Sequence, residues 1–233
     1  MWNFFKSSGD INLIEAVGSH IEKHIGKVET VLHEIVSPTI HLDVHVVLAS
    51  ERRPYHTLIT SGMAELPMST PRGFEDGRFA ELMICLPKDW PLDSASFKDE
   101  NFWWPIRILK QTARYPHDCK TWLYWGHTVI NEDEKPYASG TNMCSLVLVE
   151  PRTIPSDGQV IRLGKKKSAR LWAIIPLHRE ELKWKLENGF EPLDRALQAA
   201  GFNEVLDPKR TNLGQLTSAP TSLGVKTSST RMQ

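Results

Sequence analysis

His41, Asp43 and His45 alternate with Leu42, Val44 and Val46. In an extended strand side chains repeat every second residue, so the three polar groups share one face, and two imidazoles flanking a carboxylate form a donor set that zinc accepts. His56 on the next apolar run and His33 on the previous one are placed to join them. A metal held by His41, Asp43 and His45 would make the chain a metal-dependent hydrolase, with activated water as nucleophile. The alternative is a polar sheet face on which Asp43 accepts hydrogen bonds from a neighbour. Nothing downstream completes a recognised ligand set, so the trio is expected to serve the sheet, with no cofactor implied.

A second group, His117-Asp118-Cys119 with His127, carries the ingredients of a thiolate beside a base. Cys85 and Cys144 lie in apolar runs and read as core. No GxSxG elbow, glycine-rich phosphate loop or HExxH helix occurs. The run His178-Arg179-Glu180-Glu181 lacks the second histidine of a zinc helix, and Glu181 with Lys185 reads as an i,i+4 pair on a charged face. These residue types describe a binding domain rather than an enzyme.

The elements that must position them follow from hydrophobic period. Asp10 is a candidate N-cap for a helix over 11–25 that Gly26 ends. The period then changes to two, giving strands over 28–36, 40–48, 55–60 and 79–86, the first two separated by Ser37-Pro38-Thr39. Between the third and fourth lies a long loop, 61–77, of the kind that is functional or mobile. A helix over 102–115 puts Trp104, Ile108 and Tyr115, with Ile106, Leu109 and Ala113 alongside, on one face, with Pro105 in its first turn and Pro116 as its stop. The aromatics there and at Trp122, Tyr124 and Trp125 suit a core, with an aromatic groove as the competing reading. Residues 116–142 read as loop, strands resume at 143–149, 159–163 and 169–176, and helices over 179–187 and 192–200 each end at a glycine. Lys165-Lys166-Lys167 reads as a hairpin tip. Strands and helices in this order predict an α+β domain over 10–210, with a mixed, largely antiparallel sheet partly covered by helices. Residues 1–9 read as a flexible start and 211–233, rich in Ser, Thr, Gly and Pro, as a disordered tail.

Composition bounds the partners. Lys plus Arg and Asp plus Glu are 28 each, so no net field draws the chain to nucleic acid or an anionic membrane, and no apolar run is long enough to span one. Three scattered cysteines form no disulfide or zinc pattern, and the N-terminus lacks a signal-peptide pattern. A cytoplasmic setting is expected.

Several segments together resemble the suppressor-of-fused domain family: Ile40-His41-Leu42-Asp43-Val44, Leu58-Ile59-Thr60-Ser61-Gly62-Met63, Ala80-Glu81-Leu82-Met83-Ile84-Cys85-Leu86-Pro87, Trp104-Pro105-Ile106, Ala113-Arg114-Tyr115, Trp125-Gly126-His127-Thr128 and Ile174 through Leu182. Their order over roughly 25–208 carries the resemblance, and the second domain of the animal proteins has no counterpart. The resemblance implies an α+β domain without known catalysis that grips an extended peptide by strand addition. Animal members sequester transcription factors, and stand-alone bacterial relatives resemble immunity proteins. The expectation is a protein that neutralises a cognate toxin by direct binding, with a regulatory adaptor as a further alternative. The family's peptide-gripping loop corresponds most nearly to 61–77, which makes Met63, Glu65, Met68, Phe74 and Asp76 the expected partner contacts.

Overall fold

The computed structural model describes residues 11–34 and 39–217. Helix α1 (Ile11–His24) is followed by strands β1 (Thr30–Leu32), β2 (Asp43–Val47), β3 (Tyr55–Ser61) and β4 (Ala80–Pro87), then helix α2 (Glu100–Asp118). Strands β5 (Thr128–Ile130), β6 (Met143–Val149), β7 (Val160–Arg162) and β8 (Ser168–His178) come next, and helices α3 (Arg179–Asn188), α4 (Phe190–Ala199) and α5 (Leu213–Thr217) close the described chain. The eight strands form one sheet in the order β1-β2-β3-β4-β8-β6-β5, with β7 paired to the start of β8. Only β4 and β8 are parallel, and every other pair is antiparallel. The expected α+β class and mixed, largely antiparallel sheet are what the fold shows.

The period of two explains the layers. Leu82, Ile84 and Leu86 of β4, Leu146 and Leu148 of β6 and Trp172 and Ile174 of β8 face the core that holds Trp104, Ile108 and Leu109 of α2. Their neighbours Met83, Cys85, Val147, Val149, Ala173 and Ile175 face the opposite core with Val17 and Ile21 of α1 and Leu193 and Leu197 of α4. Central strands buried on both faces read as continuous apolar runs. Trp104 stacks on Tyr137, ring centroids 5.4 Å apart, so the core reading holds for this ring.

Helix α2 departs from its expected limits. Asp99 caps it by accepting the Asn101 amide, which puts Pro105 in the second turn, and the helix runs through Pro116 to Asp118. An internal proline removes one backbone bond, and here the ring itself is buried, which offsets that loss. Strand β5, too short to show a period, lies inside the stretch expected to be loop. Of the expected strand 28–36, β1 covers three of the described residues; 35–38, with part of the Ser37-Pro38-Thr39 turn, and residues 1–10, with the candidate cap Asp10, lie outside the described residues. The tail expected from 211 does not begin there: α5 docks on α3, Leu213 is buried, and a side chain at Gly214 would collide with the Glu180 backbone. Residues 218–233 lie outside the described residues.

Candidate protein-binding surface

The loop 61–77 leaves β3 through a node built on one carboxylate. Glu81, fully buried on β4, accepts the Thr60 hydroxyl at 2.6 Å on one oxygen and the Gly62 and Ala64 amides at 2.9 and 3.0 Å on the other. No cation is among those donors. Desolvation therefore dominates, and burial pushes the carboxyl up to about 6 even though the hydrogen bonds pull it down. Gly62 is required at this turn: its φ is +118°, and a Cβ there would lie 1.9 Å from the His41 carbonyl oxygen. His45 Nε2 meets Ser61 Oγ at 2.9 Å, and His117 Nε2 donates to the Met63 carbonyl at 3.0 Å. Burial lowers the pKa of both imidazoles, which keeps them neutral.

Beyond this root the loop folds back over the sheet. Met63 and Met68, expected as partner contacts, are 0% and 3% exposed and belong to the core facing α2. Their flexible thioether side chains fill the space under the loop. Glu65, Phe74 and Asp76, the other three, are exposed. Phe74 sits 4.9 Å from the Trp122 ring and 5.4 Å, edge-on, from Tyr124, which in turn meets Trp172. Asp76 pairs with Arg170 at 2.8 Å and accepts the Tyr124 hydroxyl at 3.4 Å, while a Cβ on Gly77 would press into the Tyr124 ring. The Ser69 amide donates to the Thr121 carbonyl, and the Lys167 ammonium reaches the Glu65 carbonyl at 3.4 Å. Glu65 borders a separate cleft of about 270 Å³ lined by Leu13, Ile14, His41 and Gly62. The loop thus presents two faces: an aromatic one at Phe74, Trp122 and Tyr124, and an acidic one at Glu65. Trp122 and Tyr124, read from the sequence as core, reach the surface as its second wall.

Asp43 and His45 share a side of β2, with His41 just before the strand; His41 lies against Asp43, while His45 bonds elsewhere. Asp43, 1% exposed, accepts the Glu34 amide at 3.2 Å and lies 3.1 Å from His41 Nε2 and 3.0 Å from His33 Nδ1. His45 turns to Ser61, and its buried Nδ1 has no partner. His56 accepts the Ala49 amide and donates to the Lys88 carbonyl. Among the described residues no group of three or more His, Cys, Asp or Glu side chains is arranged to hold a metal. Cys119 is exposed at the end of α2 while His117 is committed to Met63, and Cys85 and Cys144 are buried.

A second buried node closes the chain. Glu181 is fully buried and pairs with Arg210 rather than the expected Lys185, the two nitrogen–oxygen contacts being 2.5 and 2.6 Å. Glu181 also accepts the His178 and Leu213 amides, and Arg210 donates to the Pro176 carbonyl. The surface i,i+4 pair of α3 is Lys183 with Glu187.

Known structures share this architecture. A suppressor-of-fused homologue from Neisseria gonorrhoeae FA 1090 superposes with a TM-score of 0.59 at 15% identity, covering 87% of this chain and 97% of that one. The Sufu–Fu complex gives 0.58 at 13% identity, over 89% and 93% of the two chains. Drosophila Suppressor of Fused gives 0.60 at 13% identity, and the chain spans about half of that protein, 52%. None of the curated proteins matches the sequence. Among the described residues no helix is long and apolar enough to cross a membrane. The family profile described as Suppressor of fused protein (SUFU) matches residues 38–211, a stretch that holds both carboxylate nodes and the loop between β3 and β4, and the chain belongs to that family.

Proposed function

We propose that the chain is a non-catalytic protein-binding domain, and that it acts in the bacterial cytoplasm as an immunity protein that neutralises a cognate toxin by direct binding. One observation carries the binding reading. The loop 61–77 is pinned at its root by Glu81 and at its far end by the Arg170–Asp76 pair, yet it holds Glu65, Leu66 and Phe74 exposed between those anchors. A surface fixed in advance loses little conformational entropy when a partner docks, and an exposed aromatic backed by two others is the anchor such interfaces use. The solved Sufu–Fu complex shows a related protein holding a protein partner, which supports the same role here. Three free cysteines suit a reducing compartment.

The test is co-expression with the product of the neighbouring reading frame. That product should arrest growth alone, co-purify with this chain, and be neutralised by it. Phe74→Asp and Glu65→Lys should abolish capture; Glu65→Lys should leave thermal unfolding unchanged, and Phe74→Asp should lower it only modestly through its lost contacts with Trp122 and Tyr124. A harmless neighbour would sink the toxin assignment. Undiminished capture by both variants would sink this surface.

A further inference from the structure

On the opposite side of the molecule from α2, the last two turns of α1 face the segment that enters β7 across a cleft of about 590 Å³. Its walls carry Lys23, His20, His24 and Ser19 from α1, and Ser156, Asp157 and Arg162 from the other side, with Ala16 and Val160 as its apolar part. The elements are held close: a Cβ on Gly158 would lie 3.1 Å from His24 Cβ, and His20 Nε2 donates to the Gly158 carbonyl at 2.8 Å. That bond leaves Nδ1 of His20 as the position that takes up a proton. The two imidazoles lie 4.5 Å apart, and His24 Nδ1 is 3.5 Å from Asp157, which is the single acid in the cleft. Lys23 and Arg162 make no ion pair with any described residue. Basic side chains in a last helical turn offset the partial charge of its carbonyls, which accounts for Lys23 and His24. It does not account for Arg162, which arrives from β7.

We infer that this cleft is an anion site for a phosphate group, with Lys23 and Arg162 closing on it from two elements, His20 and His24 on its floor, and Ser19 and Ser156 as hydroxyl donors. Two cations from separate elements, two imidazoles and two hydroxyls against one carboxylate give a positive, donor-rich concavity, and a phosphoryl group offers several acceptor oxygens to such a set. The apolar wall of Ala16 and Val160 leaves room for the body of a phosphate ester. Burial first, then the neighbouring His24 and Lys23, disfavour a proton on His20, whereas the bond to the Gly158 carbonyl and Asp157 favour one, and the net effect lowers its pKa.

The experiment is an NMR titration of the His20 and His24 ring protons with inorganic phosphate and separately with phosphoserine, against sodium chloride at matched ionic strength. The site predicts a saturable shift of both rings that chloride does not produce. Arg162→Glu and Lys23→Glu, both exposed, should each weaken it by about tenfold or more, with the unfolding midpoint unchanged in Arg162→Glu and slightly lowered in Lys23→Glu, which puts an acid in the last helical turn. Tighter binding of phosphoserine supports the site and assigns it to an ester, whereas equal binding supports it and assigns it to the free anion. No saturable shift beyond chloride, or undiminished affinity in both variants, overturns it.

Discussion

Glu81 and Glu181 are both fully buried, and they are compensated in opposite ways. Glu181 faces a guanidinium whose side chain is 4% exposed, and the pair ties together the end of β8, the first turn of α3 and the segment leading to α5. Glu81 faces neutral donors alone: a hydroxyl and the amides of the turn that starts the loop 61–77. The first arrangement binds distant chain segments by charge and depends on both partners. The second shapes one short turn, and it leaves a carboxyl whose protonation state is open to change near neutral pH. Stability at the C-terminal node and conformation at the loop node are therefore separable, and variants should divide them.

The largest effect is expected at the charged node. Arg210→Ala leaves Glu181 buried and uncompensated, which should cost about 3–5 kcal/mol in urea unfolding and expose α5 to proteolysis. A cost near that of a surface substitution would mean that water or a neighbour replaces the guanidinium. Next, Gly62→Ala forces a Cβ against the His41 carbonyl at a positive φ, and should destabilise by about 2 kcal/mol or more. Because the clash sits at the loop root, amide shifts in the variant should concentrate between residues 60 and 78 instead of spreading to α3.

Glu81→Gln keeps the shape and removes the charge, for an expected cost of about 1–3 kcal/mol at neutral pH. Its pH dependence is the sharper readout. A carboxyl raised from 4.5 to about 6 binds protons more tightly in the folded chain, so its stabilising contribution is complete below pH 4.5 and lost as the pH rises through about 6. The shift corresponds to about 2 kcal/mol. The histidines run the other way: burial lowers His20, His45, His56, His117, His127 and His178, so their contribution is present above 6.5 and lost as the pH falls through their folded values. The parent profile mixes both. The difference between parent and Glu81→Gln isolates the carboxyl, and it should grow in the parent's favour as the pH falls from about 6 to 4.5. The smallest effect belongs to the exposed Lys183–Glu187 pair at 3.9 Å, where Lys183→Ala should change stability by no more than about 0.5 kcal/mol.

Period and punctuation made most of the fold readable in advance, because the near-continuous apolar runs at 80–87, 143–149 and 168–178 reflect burial on both faces of the sheet. What escaped depended on distant partners. The alternation of His41, Asp43 and His45 was visible, but their partners come from elsewhere in the chain: Asp43 meets His33 and the Glu34 amide, and His45 reaches Ser61, which the register places opposite Asp43. Glu181 has the spacing of an ordinary helix-surface residue, and its burial is decided by an arginine 29 positions away. The loop 61–77 was recognisable from its prolines and glycines. That Met63 and Met68 turn inward while Phe74 turns outward is a tertiary choice, made by the bonds of Met68 to Arg78 and of Ser69 to Thr121. The Thr60, Gly62 and Glu81 motif residues were legible only through family resemblance, and the structure gives the physical reason that they occur together.

Hydrogen exchange at the Gly62 and Ala64 amides tests the account's central claim, that Glu81 fixes the loop before any partner arrives. Both amides should be strongly protected in the parent at neutral pH, and in Glu81→Ala, which removes the oxygen that accepts both, their protection should fall by about tenfold or more while that of Val147 and Ile175 in the central strands changes only with global stability. Equal protection at Gly62 and Ala64 in the two proteins, once corrected for global stability, would show that the loop is held by something other than this carboxylate.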